Sequence, residues 1–338
     1  MPNVAHALSA RTPKAPSIPT SRGRWPWVVL LVLLLAALTG VLKGYQLFQG
    51  TMVLCYAIAL LGLNMLTGYN GQISLGHGAF FALGAYAAAI AMEHGGLPYW
   101  LAVPAAGVAC LVVGYLFGRP ALKLEGLYLA LATFALAVAM PQLLKYKHLE
   151  AWTGGVGGIV LMKPDAPFGL PLSQDQWLFL YALAVTVVMF LIGHNLLSSG
   201  SGRAMRAIRD HAMAAEAMGV DNPHYKSMTF GISAAFTGVG GALSAIAVQF
   251  VSPDSFTLFL SISLLVGVVV GGLGTLWGAV FGALFIMFVP SFAESISKAA
   301  PWAVYGVVLI AIMFAMPGGV VGLLRSTAAR WQRRRAAP

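Results

Sequence analysis

Charge is scarce in this chain. Only 9% of its 338 residues are Asp, Glu, Lys or Arg, against about 25% in ordinary soluble domains. Hydrophobic residues make up 59%, and the mean hydropathy is +0.82. A soluble core of this size cannot hide that much apolar surface, so lipid must solvate part of it. Cysteine is nearly absent: Cys55 and Cys110 both lie inside apolar runs, which excludes a disulfide framework and a cysteine metal centre. No Gly-x-x-x-x-Gly-Lys-Ser/Thr loop occurs, so the chain does not cradle ATP phosphates in that manner. The apolar runs carry no Asp, Glu, Lys or Arg in their interiors. Ion-coupled carriers usually keep such groups within the membrane, although Na⁺ sites can be built from carbonyls and hydroxyls, so their lack weighs against a secondary transporter. No catalytic, metal or cofactor-binding constellation is present, so a non-catalytic chain is expected.

What is present is a ladder of charge-free intervals at 25–42, 44–92, 94–118, 126–144, 176–202, 227–253, 255–293 and 299–324. A helix crosses the hydrocarbon layer in roughly 20 residues. Six intervals fit one span each, and the two longest hold two each. The expected fold is therefore all-α and polytopic, with about ten transmembrane helices. Each long interval is divided by a Gly-rich stretch, Thr67–Gly78 and Gly271–Gly278, where a helix break is expected. The breaks follow the second and eighth spans, which are not matching positions, so no internal repeat is assigned.

Cation placement orients the ladder, because Lys and Arg accumulate on the cytoplasmic side. With ten spans and both termini cytoplasmic, the basic tails, Arg119 and Lys123, and the central cluster of Arg203, Arg206, Arg209 and Lys226 all fall inside. Lys43, Lys145, Lys147, Lys163 and Lys298 fall outside. Collapsing both long intervals into single spans moves the central basic loop outside, and collapsing only the second moves the arginine-rich C-tail outside. The net charge of +10 is thus a topology signal rather than a nucleic-acid surface. Residues 1–24 read as a disordered basic cytoplasmic tail, 25–324 as the transmembrane domain and 325–338 as a second basic tail. Within the domain lie a polar outer segment at 145–175 and a charged inner loop at 197–227.

The inner loop carries the strongest helical pattern. Met205, Ile208, Ala212 and Ala215 recur on one face, Arg206 and Asp210 stand at pairing distance i,i+4, and Gly219 suits a helix end before Asp221-Asn222-Pro223 starts the next helix. Such a basic amphipathic helix either lies on anionic lipid or docks in a groove of a cytoplasmic partner. At the breaks, Asn70, Gln72, Ser74, His77, Gly271, Gly272 and Gly274 are the candidate pathway or helix-break residues. Irregular backbone at membrane depth survives only against protein or water, and His77 alone reads first as a hydrogen-bonded structural residue.

Residues 61–86, Leu-Gly-Leu-Asn-Met-Leu-Thr-Gly-Tyr-Asn-Gly-Gln-Ile-Ser-Leu-Gly-His-Gly-Ala-Phe-Phe-Ala-Leu-Gly-Ala-Tyr, resemble the signature of LivM-type permeases of branched-chain amino acid ABC importers. So do Gly202-Arg-Ala-Met-Arg-Ala-Ile-Arg-Asp, Ala214-Ala-Glu-Ala-Met-Gly219 and Gly271-Gly-Leu-Gly-Thr-Leu-Trp-Gly278. The resemblance runs from about residue 50 to 325. It implies an inner-membrane permease subunit whose central loop, with Gly202, Arg203, Arg206, Arg209, Asp210, Glu216 and Gly219, couples to ATPases. It further implies that ATP is used by partner subunits: two cytoplasmic ATPases, a LivH-like second permease and a periplasmic substrate-binding protein. Related permeases for urea or short-chain amides share much of the pattern.

Overall fold

The computed structural model describes residues 32, 34–121, 124, 126–296, 301–316 and 318–336. The expected N-terminal tail and most of the first span, 25–42, lie outside the described residues. The chain divides into two units, Met1–Val41 and Leu42–Pro338. In the first, a 3-10 turn covers Leu38–Gly40, and Thr39 Oγ1 donates to Ala36 O.

The second unit is a helical membrane bundle. Its helices are α1 Gly44–Asn64, α2 His77–Glu93, α3 Tyr99–Ala121, α4 Leu127–Leu144, α5 Gln174–Ser198, α6 Gly200–Ala217, α7 Asn222–Val248, α8 Leu258–Gly271, α9 Gly278–Ile296, α10 Pro301–Ala315 and α11 Gly319–Ala336. Among the described residues, seven segments are long and apolar enough to cross a membrane: 44–69, 99–120, 127–144, 174–198, 222–248, 253–271 and 278–296. Helix α2 has 17 residues and α10 has 15. The chain is an all-α polytopic membrane protein in architecture. Both long intervals are divided where the glycines lie, after Tyr69 and after Gly271. The last interval is shorter than expected, because α10 ends at Ala315 and α11 restarts at Gly319, whose φ is +70°.

Helices α1 and α7 lie at the centre, with the short α2 buried beside them. The α7 span is 89% buried and the α1 span 72%, whereas the other five are 33–39% buried. Small residues explain this, since Gly, Ser, Thr and Ala let backbones approach where lipid offers no hydrophobic drive for association. Gly62 lies against Ser233 and Phe236 of α7, and Gly240 lies against Cys55 and Ala59 of α1. Thr237 Oγ1 and Ser233 Oγ donate to Ala59 O and Gly62 O across the seam.

The outer segment departs from a purely helical picture. Ile159–Val160 (β1) pairs antiparallel with Phe250–Val251 (β2), clamping the segment onto the α7–α8 connection. Lys163 pairs with Asp175 at 2.7 Å and Lys145 with Asp254. Ser173 caps α5 through a reciprocal box with Gln176. At the end of α7, Gln249 adopts φ +64° as a left-handed cap, a conformation costing a side-chain-bearing residue roughly 1–2 kcal/mol. Glycine loses roughly 0.5–1 kcal/mol of chain entropy in exchange. Gln249→Gly is therefore expected to raise stability by about 0.5 kcal/mol. Chemical unfolding in mixed micelles reads the change, and destabilisation refutes it.

Candidate functional site

The charged central loop is a helix, α6, with a bend. Gly202, Ala204, Met205, Ile208 and Ala215 are buried along one side. The backbone becomes extended at His211 (φ −162°, ψ 95°), and His211 Nδ1 then accepts from Ala214 N at 3.2 Å, capping a second helical piece. That piece closes with paired bonds, Val220 N to Ala215 O and Gly219 N to Glu216 O. Gly219 supplies the required left-handed residue at φ +85°. Asn222 Nδ2 donates to Ala212 O at 2.8 Å, and Asp221 Oδ1 caps α7 through His224 N. The turn at 218–221 is thus fixed to the start of α7.

Away from its buried residues, α6 exposes Arg203, Arg209, Asp210 and Glu216, and Gly219 is exposed just beyond its end. Met213 is 78% exposed and Met218 85%. Asp210 does not pair with Arg206 as the i,i+4 spacing suggested. Its partner is Arg209, through Nε at 2.9 Å and Nη2 at 2.8 Å. The adjacent guanidinium wins because it presents two donors at once to the carboxylate.

Arg209 also reaches inward. Its Nη1 donates to Gly68 O at 2.8 Å. Gly68 sits in a π-turn, Met65–Tyr69, in which α1 ends. The carbonyls at a helix C-terminus lack helical partners and carry the negative end of the dipole, so a cation is well placed there. Arg206 and Arg325 gather near Tyr69 on the same end of the bundle.

The two Gly-rich breaks, far apart in sequence, meet at this point. Asn64 Nδ2 donates to Thr275 O at 2.7 Å, and Gly274 N donates to Asn64 Oδ1 at 2.9 Å. Gly274 takes φ +67° and Gly272 φ +121°. A Cβ on Gly68 would collide with Asn64 and the Gly274 backbone. Gly271 is buried against Gly278, where α8 turns into α9.

The rest of the first break is held by polar side chains. His77 Nε2 lies 2.6 Å from Ser233 Oγ, and Nδ1 lies 2.9 Å from Ser74 Oγ. Ser233 donates its hydrogen to Gly62 O, so it accepts from Nε2–H, which in a neutral imidazole leaves Nδ1 to accept from Ser74 Oγ. Leu75 N donates to Thr133 Oγ1, Gly78 N to Ser261 Oγ, and Gln72 Nε2 to Lys226 O. Asn70, Gln72, Ser74 and His77 are all buried. Asn70 differs from the others: its amide oxygen and nitrogen are buried and find no partner among the described residues. A cleft of about 170 Å³ lies beside it, walled by Gly126, Ile208, Arg209 and Lys226. Among the described residues, no group of three or more His, Cys, Asp or Glu could hold a metal.

Sequence reasoning found the breaks and the loop but missed Asn64, which joins the two breaks, and Thr133, Ser233 and Ser261, which hold the first break to other helices. Their signal was present as lone polar residues within apolar runs.

The family model described as "Branched-chain amino acid transport system / permease component" matches residues 45–317. The chain belongs to this permease family. It is 34% identical to the high-affinity branched-chain amino acid transport system permease protein LivM of Salmonella typhimurium over 260 residues, 70% of this chain and 61% of that protein. The corresponding LivM of Escherichia coli K12 is 34% identical over 283 residues, 77% of this chain and 66% of the relative. LivH of E. coli K12, a permease of the same kind of system, is 25% identical over 306 residues, 82% and 94% of the two chains. The chain thus spans a little under two thirds of the length of the LivM relatives. No solved structure matches it.

Proposed function

We propose that this chain is a permease subunit of an ATP-driven importer for branched-chain amino acids in the bacterial inner membrane. It has about ten spans and cytoplasmic termini. The chain catalyses nothing itself and binds no cofactor. ATP is hydrolysed by two cytoplasmic ATPases, a LivH-like second permease completes the pathway, and a periplasmic binding protein delivers the substrate to the end bearing β1 and β2.

The observation that carries this reading is the two-sidedness of α6. Its buried side is fixed to the bundle, while Met213 in its second piece and Met218 just beyond its end are almost fully exposed. Methionine adapts its shape to an opposing surface, and a short helix presenting such residues suits a groove on a partner. The grouping of Arg206, Arg209 and Arg325 at one end, with Lys145 and Lys163 at the hairpin end, supports the parity of ten spans.

Proteoliposomes containing the assembled importer are expected to accumulate leucine only with ATP inside the ATPase-bearing compartment. Uptake without ATP would reject the reading, and uptake of urea in preference to leucine would move the substrate class. Arg206→Glu and Gly219→Trp are expected to weaken ATPase co-purification at least about tenfold while membrane insertion is kept. Arg206→Glu reverses a charge on α6, and Gly219→Trp adds bulk and backbone strain at the left-handed turn that closes it, beside interface residues that carry most of the binding energy. Undiminished co-purification of both variants would remove α6 as the docking element.

A further inference from the structure

We propose that Arg209 is a positioning residue that ties α6 to both Gly-rich breaks, so that movement of the coupling helix reaches α1 and the α8–α9 turn through one guanidinium. The inference rests on the importer reading but assigns Arg209, itself partly exposed, a different task from the docking cations around it. Its side chain is turned toward the bundle, where Nη1 holds Gly68 O at 2.8 Å. The same nitrogen lies 3.4 Å from where a Cβ on Gly274 would stand. Its other nitrogens hold Asp210, so the guanidinium is oriented from its own helix while it grips the end of α1.

Three features make this contact a joint rather than ordinary packing. Gly68 lies within the π-turn, a local widening of the helix that recurs at functional sites. Asn64, one turn earlier, clamps the second break through Thr275 O and Gly274 N, so whatever displaces Gly68 also displaces the α8–α9 turn. Asn70, just beyond the π-turn, keeps a buried amide with no partner among the described residues. Native structures rarely leave such a group unsatisfied without a reason. A joint with an unspent donor and acceptor has bonds to gain in a second arrangement, and a two-state element of that kind is what transmits coupling between sites.

The test uses the complete importer in proteoliposomes, with radiolabelled leucine as the probe and ATP hydrolysed per leucine accumulated as the readout. Arg209→Met is expected to raise that ratio about tenfold, within the range usual for coupling between sites, while the ATPases still co-purify. Arg209→Lys keeps a single donor for Gly68 O but not the fork to Asp210, and its ratio is expected to lie between the two. Should Arg209→Met fail to assemble, the lysine variant carries the test alone. A wild-type ratio in whichever variants assemble overturns the proposal, as does loss of ATPase co-purification with the ratio unchanged. If the wild-type importer accumulates leucine without ATP, the importer reading itself fails, and that failure is visible before any variant is made.

Discussion

Asn64→Leu is expected to destabilise the bundle by about 2–3 kcal/mol, between the floor and the ceiling set by its two bonds. The side chain is fully buried and donates to Thr275 O while accepting from Gly274 N. Leucine fits the volume but strands the Gly274 amide in a low-dielectric interior and leaves Thr275 O with only its 3.2 Å bond from Gly278 N. Each stranded backbone group costs about 1–3 kcal/mol in soluble proteins. Interhelical bonds in membranes average only about 0.6 kcal/mol, because the unfolded chain finds other partners there. The value should exceed that average, since Gly274 N lies on irregular backbone with no helical bond to fall back on. Unfolding of purified protein in mixed detergent micelles measures the loss. A change below about 0.5 kcal/mol, the usual size for an inconsequential surface substitution, would show that the two breaks do not depend on Asn64.

Much of this architecture was legible because lipid imposes simple rules. Charge-free intervals of the right length marked most of the helices, and glycine marked both breaks. What could not be read was the meeting of Asn64 with Gly274 and Thr275, some 210 residues apart. Periodicity and composition describe one helix face at a time, and they do not say which face meets which. The Arg206–Asp210 pair failed for a related reason. Spacing ranks partners along an ideal helix, but α6 bends at His211 and Arg209 already turns its fork back onto Asp210. The hairpin pairing of 159–160 with 250–251 was hidden by its shortness, since two residues carry no alternation to detect. The burial of His77 is matched by Ser233 on α7, and the backbone around it by Thr133 on α4 and Ser261 on α8, partners on three other helices that its own segment does not announce.

The seam between α1 and α7 leads to the other large effect. Cys55, Ala59 and Gly62 on α1 face Gly240, Thr237 and Ser233 on α7, with four- and three-residue steps on both helices. A Cβ at Gly240 would stand 2.6 Å from Cys55 O and 3.2 Å from the Ala59 side chain. The first obstacle is backbone, so no rotamer relieves it and the helices must separate. Overpacking usually costs about 1–3 kcal/mol, and more where nothing can give. Gly240→Leu is therefore expected to cost about 3 kcal/mol or more, and to reduce assembly with the other subunits accordingly. Gly306 in α10 is the internal control, because nothing lies within 4 Å of a Cβ there. Gly306→Leu is expected to stay within about 0.5 kcal/mol of wild type. Equal effects at the two positions would mean that leucine is resented in any of these helices. A large loss at Gly240 alone would identify close backbone approach at the α1–α7 seam as what holds the two central helices together, and with them the end of α1 on which Arg209 rests.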